Sequence, residues 1–407
     1  MTLRCERMVH GGLCIAHIDD VTVMVDGGIP GELVEARLGH RKRRVWFATV
    51  DRALEPSVDR VDAPCPYVTD CGGCQLQHVG YARQLDLKRE IVLDAMRRAG
   101  VDLPEIRVGA MDDPWRYRWR GEFHVVPGEA GLSDAGLGFN RARSWRPIAV
   151  DDCLIHHPTI TGQLDALRAL IREGATAGLS TLHLTVGENG HELLIRGRPQ
   201  AALRKDAVTS TTVRWTGDAT TLHWRGHTFR VTPESFIQVN WNHLDSLYGA
   251  VLDALGDVAG MRVVDGYAGI GVLSTVLAAS AGEVVCIENN RGAAHMGHLN
   301  ARINGVSDRM RYVALNVEEA LPRVAGEGPI DALILDPPRA GCASEVTGFL
   351  ALAGPPRIVY VSCDPATLAR DLHLLVASGP YQIRSYDLVD MFPQTYHVES
   401  VVSLDRG

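Results

Sequence analysis

The C-terminal half constrains the fold most, because short apolar stretches alternate there with longer, helix-like ones. From Val231 onward the pattern is regular. Val263-Val264-Asp265 ends a buried strand, and a glycine-rich turn and an apolar helix follow it. Stretches 284–288, Met310–Val313, 332–336 and 358–362 repeat the same unit. Strand and helix alternating in this way imply a doubly wound parallel sheet.

One such sheet does not use up 407 residues, so two or three domains are expected. The first fifty residues read as short strands. Val21, Val23 and Val25 alternate with Thr22 and Met24, a turn follows at Asp26-Gly27-Gly28, and stretches 32–38 and 45–50 continue the pattern. A five-stranded barrel of the oligonucleotide-binding type fits them. Between Ala53 and Pro66 the composition turns to Pro, Asp and Ser, as in a linker. Tyr81–Ala99 then reads as a long amphipathic helix with Leu85, Val92, Ala95, Met96 and Ala99 on one face and Gly100 as its stop. From Trp115 to about Arg230 strands dominate. Asn189-Gly190 marks a hairpin between 181–186 and 192–195, and 163–172 forms one helix. No internal repeat and no membrane-length apolar run is present. The opening residues Met1 to Arg7 carry charge on both sides of Cys5, unlike a signal peptide, so a soluble cytoplasmic protein is expected.

A net charge of −8 argues against a bulk nucleic-acid binder, but the charge is uneven. Arg37, Arg41, Lys42, Arg43, Arg44 and Arg52 cluster, as do Arg116, Arg118, Arg120, Arg141, Arg143 and Arg146. Each run reads equally as a solvated strand face or as a phosphate contact. Nine cysteines without an export signal point to metal or catalysis rather than to disulfides.

Asp265-Gly-Tyr-Ala-Gly-Ile-Gly271 lets the backbone approach a ligand at the carboxyl end of the first strand. Its D-x-x-x-G-x-G spacing departs from the dinucleotide fingerprint and suits an adenosyl amino acid, which has no pyrophosphate to cradle. Glu288 ends the next strand, where a carboxylate takes a ribose hydroxyl pair. Asn316 follows the third strand, within reach of an adenine. NAD is the second reading, since it uses the same acidic residue, and an ordinary strand-to-helix turn is the plainest one.

Asp336-Pro-Pro-Arg339 closes the fourth strand with an arginine where amine methyltransferases carry an aromatic residue. Carbon 5 of uracil needs a thiolate to add at carbon 6 and a base to remove the carbon 5 proton. Cys363, in Val359-Tyr-Val-Ser-Cys363-Asp-Pro, ends a strand where Asp364 can cap and Pro365 can begin a helix. There the helix dipole is expected to stabilise a thiolate. A structural cysteine beside a cap is the competing reading, and Cys342, just past Asp336-Pro-Pro, is a rival nucleophile. Glu399 is the base candidate.

Four motifs together resemble the RNA uracil-5 methyltransferase family over nearly the whole chain. They are Val231-Thr-Pro-Glu-Ser-Phe-Ile-Gln-Val-Asn240, Asp336-Pro-Pro-Arg-Ala-Gly341, Val359 to Asp371, and Phe392-Pro-Gln-Thr-Tyr-His-Val-Glu399. The resemblance implies a multidomain α/β protein of the type that methylates 23S ribosomal RNA. An OB-like TRAM barrel would occupy 1–53. A central α+β iron–sulfur domain would occupy 54–76 and 109–230. A Rossmann-like class I methyltransferase domain would occupy 77–108 and 231–407. Cys363 then matches the nucleophile and Glu399 the proton acceptor. Gln238, Tyr267, Glu288, Asn316 and Asp336 match positions that hold S-adenosylmethionine. Phe236 matches an aromatic that stacks on RNA bases, and Val272 departs from a usual polar residue. Cys65-x5-Cys71-Gly-Gly-Cys74 with Cys153 resembles the four ligands of a [4Fe-4S] cluster, although the spacing alone also allows zinc. The implied partner is RNA bound by a monomer, without membrane attachment. The T-loop of tRNA is the alternative target. A non-catalytic RNA-binding protein and an iron–sulfur redox sensor are the readings from other classes.

Overall fold

The computed structural model of the protein describes residues 1–129, 131–173, 178–198, 214–216, 218–377 and 379–407. Residues 2–55 form a sheet of six hydrogen-bonded segments in the order Thr2–Arg4, Leu33–Lys42, Val45–Glu55, Val21–Asp26, Leu13–Ile18, Arg7–Val9. Its two outermost segments are consecutive in the chain, joined through Cys5 and Glu6, so the sheet closes on itself. The five expected strands become six because the first breaks at this junction, where Cys5 N–H donates to Glu32 and Glu6 N–H to Ile15. Closure leaves a core of Leu3, Cys14, Val23, Val25, Val34 and Ala36.

The middle sheet runs Pro147–Ala149, Gly131–Asn140, Arg120–Gly128, Thr181–Gly187, Glu192–Arg198, Arg214–Thr216. The hairpin read at Asn189-Gly190 is present, with Gly187 paired to Glu192 across it. Helix Leu164–Arg172 lays Leu164, Leu167 and Ile171 on this sheet against Phe123, Leu137 and Leu182.

The third sheet has eight strands: Met310–Val313, Glu283–Ile287, Arg262–Gly266, Ala332–Leu335, Arg357–Ser362, Glu399–Arg406, Tyr381–Val389, Ile106–Gly109. The first five are parallel, as the alternation predicts. Glu399–Arg406 runs antiparallel to both neighbours, and Ile106–Gly109 joins the far edge parallel to Tyr381–Val389. Strand order reverses at Arg262–Gly266, and the crevice beyond that point is where such sheets bind ligands.

Helix Tyr81–Ala99 ends as expected on a left-handed Gly100. Its buried face differs from the expected one. Leu85 is only half-buried, whereas Gln84 and Lys88 are buried alongside Leu87, Ile91, Val92 and Met96. Two polar side chains sit on the inward stripe because both find partners in the C-terminal hairpin loop. No helix among the described residues is long and apolar enough to cross a membrane.

Candidate active site

Asp265 is the penultimate residue of strand Arg262–Gly266, and the chain then turns through Tyr267, Gly269 and Gly271, all with positive φ, into helix Val272–Ala278. At Gly271 a Cβ would collide with the Tyr312 hydroxyl, so this turn requires glycine there. Asp265 is buried and accepts the Ser274 hydroxyl. Burial pushes its carboxyl up to about 7 despite that bond, and the charge of Glu288 adds to the rise.

A cavity opens over this turn. Phe236, Gln238, Trp241, Tyr248, Tyr267 and Asp336 line it, with Val361 at its base. Three of the five expected donor-site residues, Gln238, Tyr267 and Asp336, are therefore brought together. Glu288 does not line the cavity, but its carboxylate holds the turn that does, accepting the N–H of Gly269 at 2.9 Å, and it also accepts the N–H of Asn290 at 2.7 Å. Asn316 caps helix Val317–Glu327 one strand further out, and its side-chain oxygen accepts from Asn289 at 2.8 Å. Phe236 is 68% exposed, so a flat apolar ring stands in water at the cavity mouth.

Cys363 follows strand Arg357–Ser362. Asp364 caps helix Pro365–Leu372 as expected, accepting the N–H of Ala366 at 3.0 Å and of Thr367 at 2.9 Å. The thiol does not have the low pKa expected of a helix N-terminus. Burial pushes it up to about 11, Glu399 and Asp336 push the same way, and Arg339 opposes them. Desolvation and two carboxylates outweigh the helix end here.

Glu399 opens the last strand, paired with Val389 and 5% exposed. Burial and the nearby Asp336 hold its carboxyl well above the usual range, against the pull of Arg339. Asp336 is itself raised to about 7 by burial and by Asp265. One thiol, two reluctant carboxylates and one arginine thus converge beside the cavity. The rival Cys342 does not line the cavity, though it touches Tyr267, which does. It is 5% exposed, its N–H donates to Asp371 at 2.9 Å, and its neighbours are Tyr360, Tyr267 and Asp371.

Cys65, Cys71, Cys74 and Cys153 all line a second cavity of about 250 Å³, walled by Arg118, Phe139, Val150 and His156. Burial drives Cys74 up to about 12 and Cys153 up to about 11. Among the described residues, no three such side chains meet closely enough to share a single ion. A cubane makes a different demand, because each thiolate binds its own iron and the four must surround a space. This donor set, with four half-buried soft ligands around one small cavity, fits that demand. Cys5 and Cys14, ungrouped in sequence, also meet inside the barrel, where Cys14 contacts the Gly28 carbonyl at 3.2 Å.

A family model described as tRNA (Uracil-5-)-methyltransferase matches residues 214–407. The 23S rRNA (uracil(1939)-C(5))-methyltransferase RlmD of Aromatoleum aromaticum is 32% identical over 99% of this chain and 99% of its own length. The chain belongs to the RNA uracil-5 methyltransferase family. An RNA methyltransferase of Halalkalibacterium halodurans is 33% identical over 98% of this chain and 95% of its own length. Among solved structures, the tRNA (uracil-54, C5)-methyltransferase of Pyrococcus abyssi, in complex with S-adenosyl-L-homocysteine, shares the fold. Its TM-score is 0.76 at 24% identity, over 99% of both chains.

Within this uracil-5 methyltransferase scaffold, sequence reasoning missed several groups at the site. Tyr248 and Trp241 carried no signal, since aromatic residues on a helix read as core. Arg339 was visible in Asp336-Pro-Pro-Arg339 but weighed only as an argument against amine chemistry. His10 was invisible as a site neighbour. It reaches from the barrel to within 3.7 Å of Asp364 and stacks edge-on against Tyr396 at 5.0 Å.

Proposed function

We propose that the protein transfers a methyl group from S-adenosylmethionine to carbon 5 of a uridine in 23S rRNA. The observation that carries this reading is the convergence of Cys363 and Glu399 on Asp336, which lines the cavity together with Gln238 and Tyr267. An ordinary methyl acceptor has no use for a thiol facing two buried carboxyls. An unactivated pyrimidine carbon needs such a pair.

In this reading the Cys363 sulfur, its proton released to solvent, bonds to carbon 6, and the π electron pair of the carbon 5–carbon 6 double bond moves toward carbon 5 and the carbonyl at position 4. Carbon 5 takes the methyl group, and the donor leaves as its neutral thioether. Glu399 accepts the proton left on carbon 5, the carbon 6–sulfur bond breaks, and the thiolate returns. Gln238, Tyr267, Glu288, Asn316 and Asp336 hold the donor, with Asp336 also facing the uracil. Phe236 stacks on a neighbouring base, a contact that does not depend on base identity. Cys65, Cys71, Cys74 and Cys153 would hold a [4Fe-4S] cluster in the middle domain, away from the transfer. The relatives named for 23S rRNA support the ribosomal target, while the family model's description keeps tRNA as the second reading, with the T-loop as the expected site there.

The test is methyl transfer to unmodified RNA. Total RNA from a deletion strain is incubated with the protein and methyl-labelled donor, then separated by size and mapped. Label at a uridine of 23S rRNA is the expected result. Label confined to tRNA replaces the target, and label on cytidine or adenosine overturns the chemistry. Anaerobically purified protein should be brown with about four irons per chain, as a four-thiolate cubane requires, and stoichiometric zinc would overturn that assignment.

A further inference from the structure

Glu399 closes the stem of the hairpin between strands Tyr381–Val389 and Glu399–Arg406, opposite Val389. The loop between them, residues 390–398, bonds to Gly109 and Val389 of the C-terminal sheet, and its middle is held from outside that sheet. The N–H groups of Gln75 and Leu76 both donate to the Gln394 carbonyl, each at 3.0 Å. Gln84 grips the same residue twice. Its side-chain oxygen accepts the Gln394 N–H at 2.9 Å, and its amide nitrogen donates to the Gln394 side chain at 2.9 Å. Lys88 donates to Asp390 at 2.6 Å and to the Phe392 carbonyl at 3.0 Å, and the Tyr117 hydroxyl donates to the Pro393 carbonyl at 2.9 Å.

These holds oppose a local preference. Gln394 has φ +67, a left-handed conformation for a residue other than glycine, which persists only where its surroundings impose it. The residue just before Gln75 is Cys74, which lines the four-cysteine cavity. Tyr117 lies near Cys74 and Cys153. The path from the cysteine cavity to the loop that carries Glu399 is therefore one residue of backbone and one tyrosine.

We infer that Gln84 and the Gln75–Leu76 amide pair are positioning residues for the base, and that the four-cysteine site fixes Cys74 so that this pair stays aimed at Gln394. The inference rests on the uracil-5 reading and on the cluster proposed above. Release of Gln394 frees the loop, and the Val389–Glu399 pair, last in its ladder, frays first. Cys363 keeps its own anchor in the Asp364 cap, although its strand pairs with that of Glu399 through Ser362 and Ser400. The donor cavity is lined by other strands. The step that suffers is proton removal from carbon 5, after methyl transfer.

Two preparations test this, alongside wild-type protein. Gln84→Met removes both grips on Gln394 and leaves all four cysteines in place. Chelator-treated wild-type protein loses the metal and keeps the sequence. In each, hydrogen exchange should quicken in peptides covering 74–76 and 390–398 and stay unchanged in 332–335, a strand that does not pair with the one Glu399 opens. In Gln84→Met, iron content and KM for RNA should match wild type while kcat falls by about 100-fold, the usual scale for an ångström of misplacement in a catalytic group. A methyl-labelled RNA–protein adduct should accumulate on a denaturing gel. Wild-type kcat in Gln84→Met, a fall in kcat without adduct, or unchanged exchange at 390–398 after chelation overturns the inference. Failure of wild-type protein to methylate any RNA overturns the uracil-5 reading instead, so the two failures are distinct.

Discussion

Cys363 should behave as an unusually reluctant thiolate in the free protein. With its thiol held at about 11, about one molecule in 1,000 carries the thiolate at pH 8, against about 24% for an ordinary cysteine near 8.5. The more basic thiolate is the better nucleophile, and a Brønsted slope of about 0.4–0.5 over that gap returns about 10- to 18-fold. Exchange with a small aromatic disulfide at pH 8 should therefore run about 13- to 24-fold slower than for a peptide of the same local sequence. Access slows the protein further without changing the shape of the pH profile, so the profile is the deciding measurement. After timed acid quenches, digestion and mass spectrometry follow the peptide containing Cys363. Its rate should climb about tenfold per pH unit from 7 to 10 without a plateau, while the reference peptide levels off near 9. Arg339→Gln removes the charge that lowers the thiol, so it should shift the profile to higher pH. Glu399→Gln should shift it to lower pH. A plateau below pH 9 in wild-type protein means that the helix end outweighs burial, and the reasoning fails.

Cys363→Ala should abolish methylation but not donor binding, and RNA carrying 5-fluorouridine at the target should trap wild-type protein covalently, since fluorine cannot leave as a cation. Trapping that depends on Cys342 and not on Cys363 would reverse the assignment. Glu399→Gln should transfer methyl and then stall as a labelled adduct on unmodified RNA, and normal turnover in that variant, or stalling only in Asp336→Asn, moves the base to Asp336. Lys88 and Asp390 form an ion pair with both side chains fully buried. Lys88→Met should cost about 3–5 kcal/mol by leaving a buried carboxylate unpaired. Lys88→Met with Asp390→Leu should recover most of that loss in a urea titration, and equal destabilisation by both would show that packing, not charge, is at stake.

Much of the fold is legible because its signals are local. The five parallel strands announce themselves as apolar runs. Gly271 reveals its turn, Asp364-Pro365 reveals the start of a helix, and Gly100 reveals the end of another. The antiparallel hairpin at the C-terminus was not legible as sheet, because strand pairing joins residues that no local pattern connects. The edge strand Ile106–Gly109 is four residues long and binds a partner some 280 positions away. Gln84 and Lys88 show the same limit from the other side. A polar residue on an apolar helix stripe reads as a register error until Gln394 and Asp390, 310 and 302 residues later, supply the partners. At the site, residue identities were readable and their electrostatics were not. The helix N-terminus at Cys363 is visible in Asp364-Pro365, but the carboxyls of Glu399 and Asp336 arrive from two other strands and reverse its expected effect.

That reversal has a consequence for the order of events. Asp265, Asp336 and Glu399 are all raised by burial, and the rises of Asp336 and Glu399 are deepened by a neighbouring carboxylate. Arg339 alone among the groups coupled to Glu399 opposes this. A site this rich in reluctant acids is short of positive charge. The proposed methyl donor carries a sulfonium, and its product carries a neutral sulfur. Donor binding beside Asp336 should therefore favour the ionised forms of Asp336, Glu399 and Cys363 together, and departure of the methyl group should withdraw that help once the adduct is made. The prediction is a ligand-dependent shift of the Cys363 exchange profile. Saturating S-adenosylmethionine should move it toward lower pH, while S-adenosylhomocysteine, alike in shape and lacking the charge, should move it far less. The non-reactive amine analogue sinefungin, protonated where the sulfonium stands, should act like the donor. Equal shifts with all three ligands would mean that occupancy rather than charge tunes the thiol, and the electrostatic account of the raised carboxyls would fail with it.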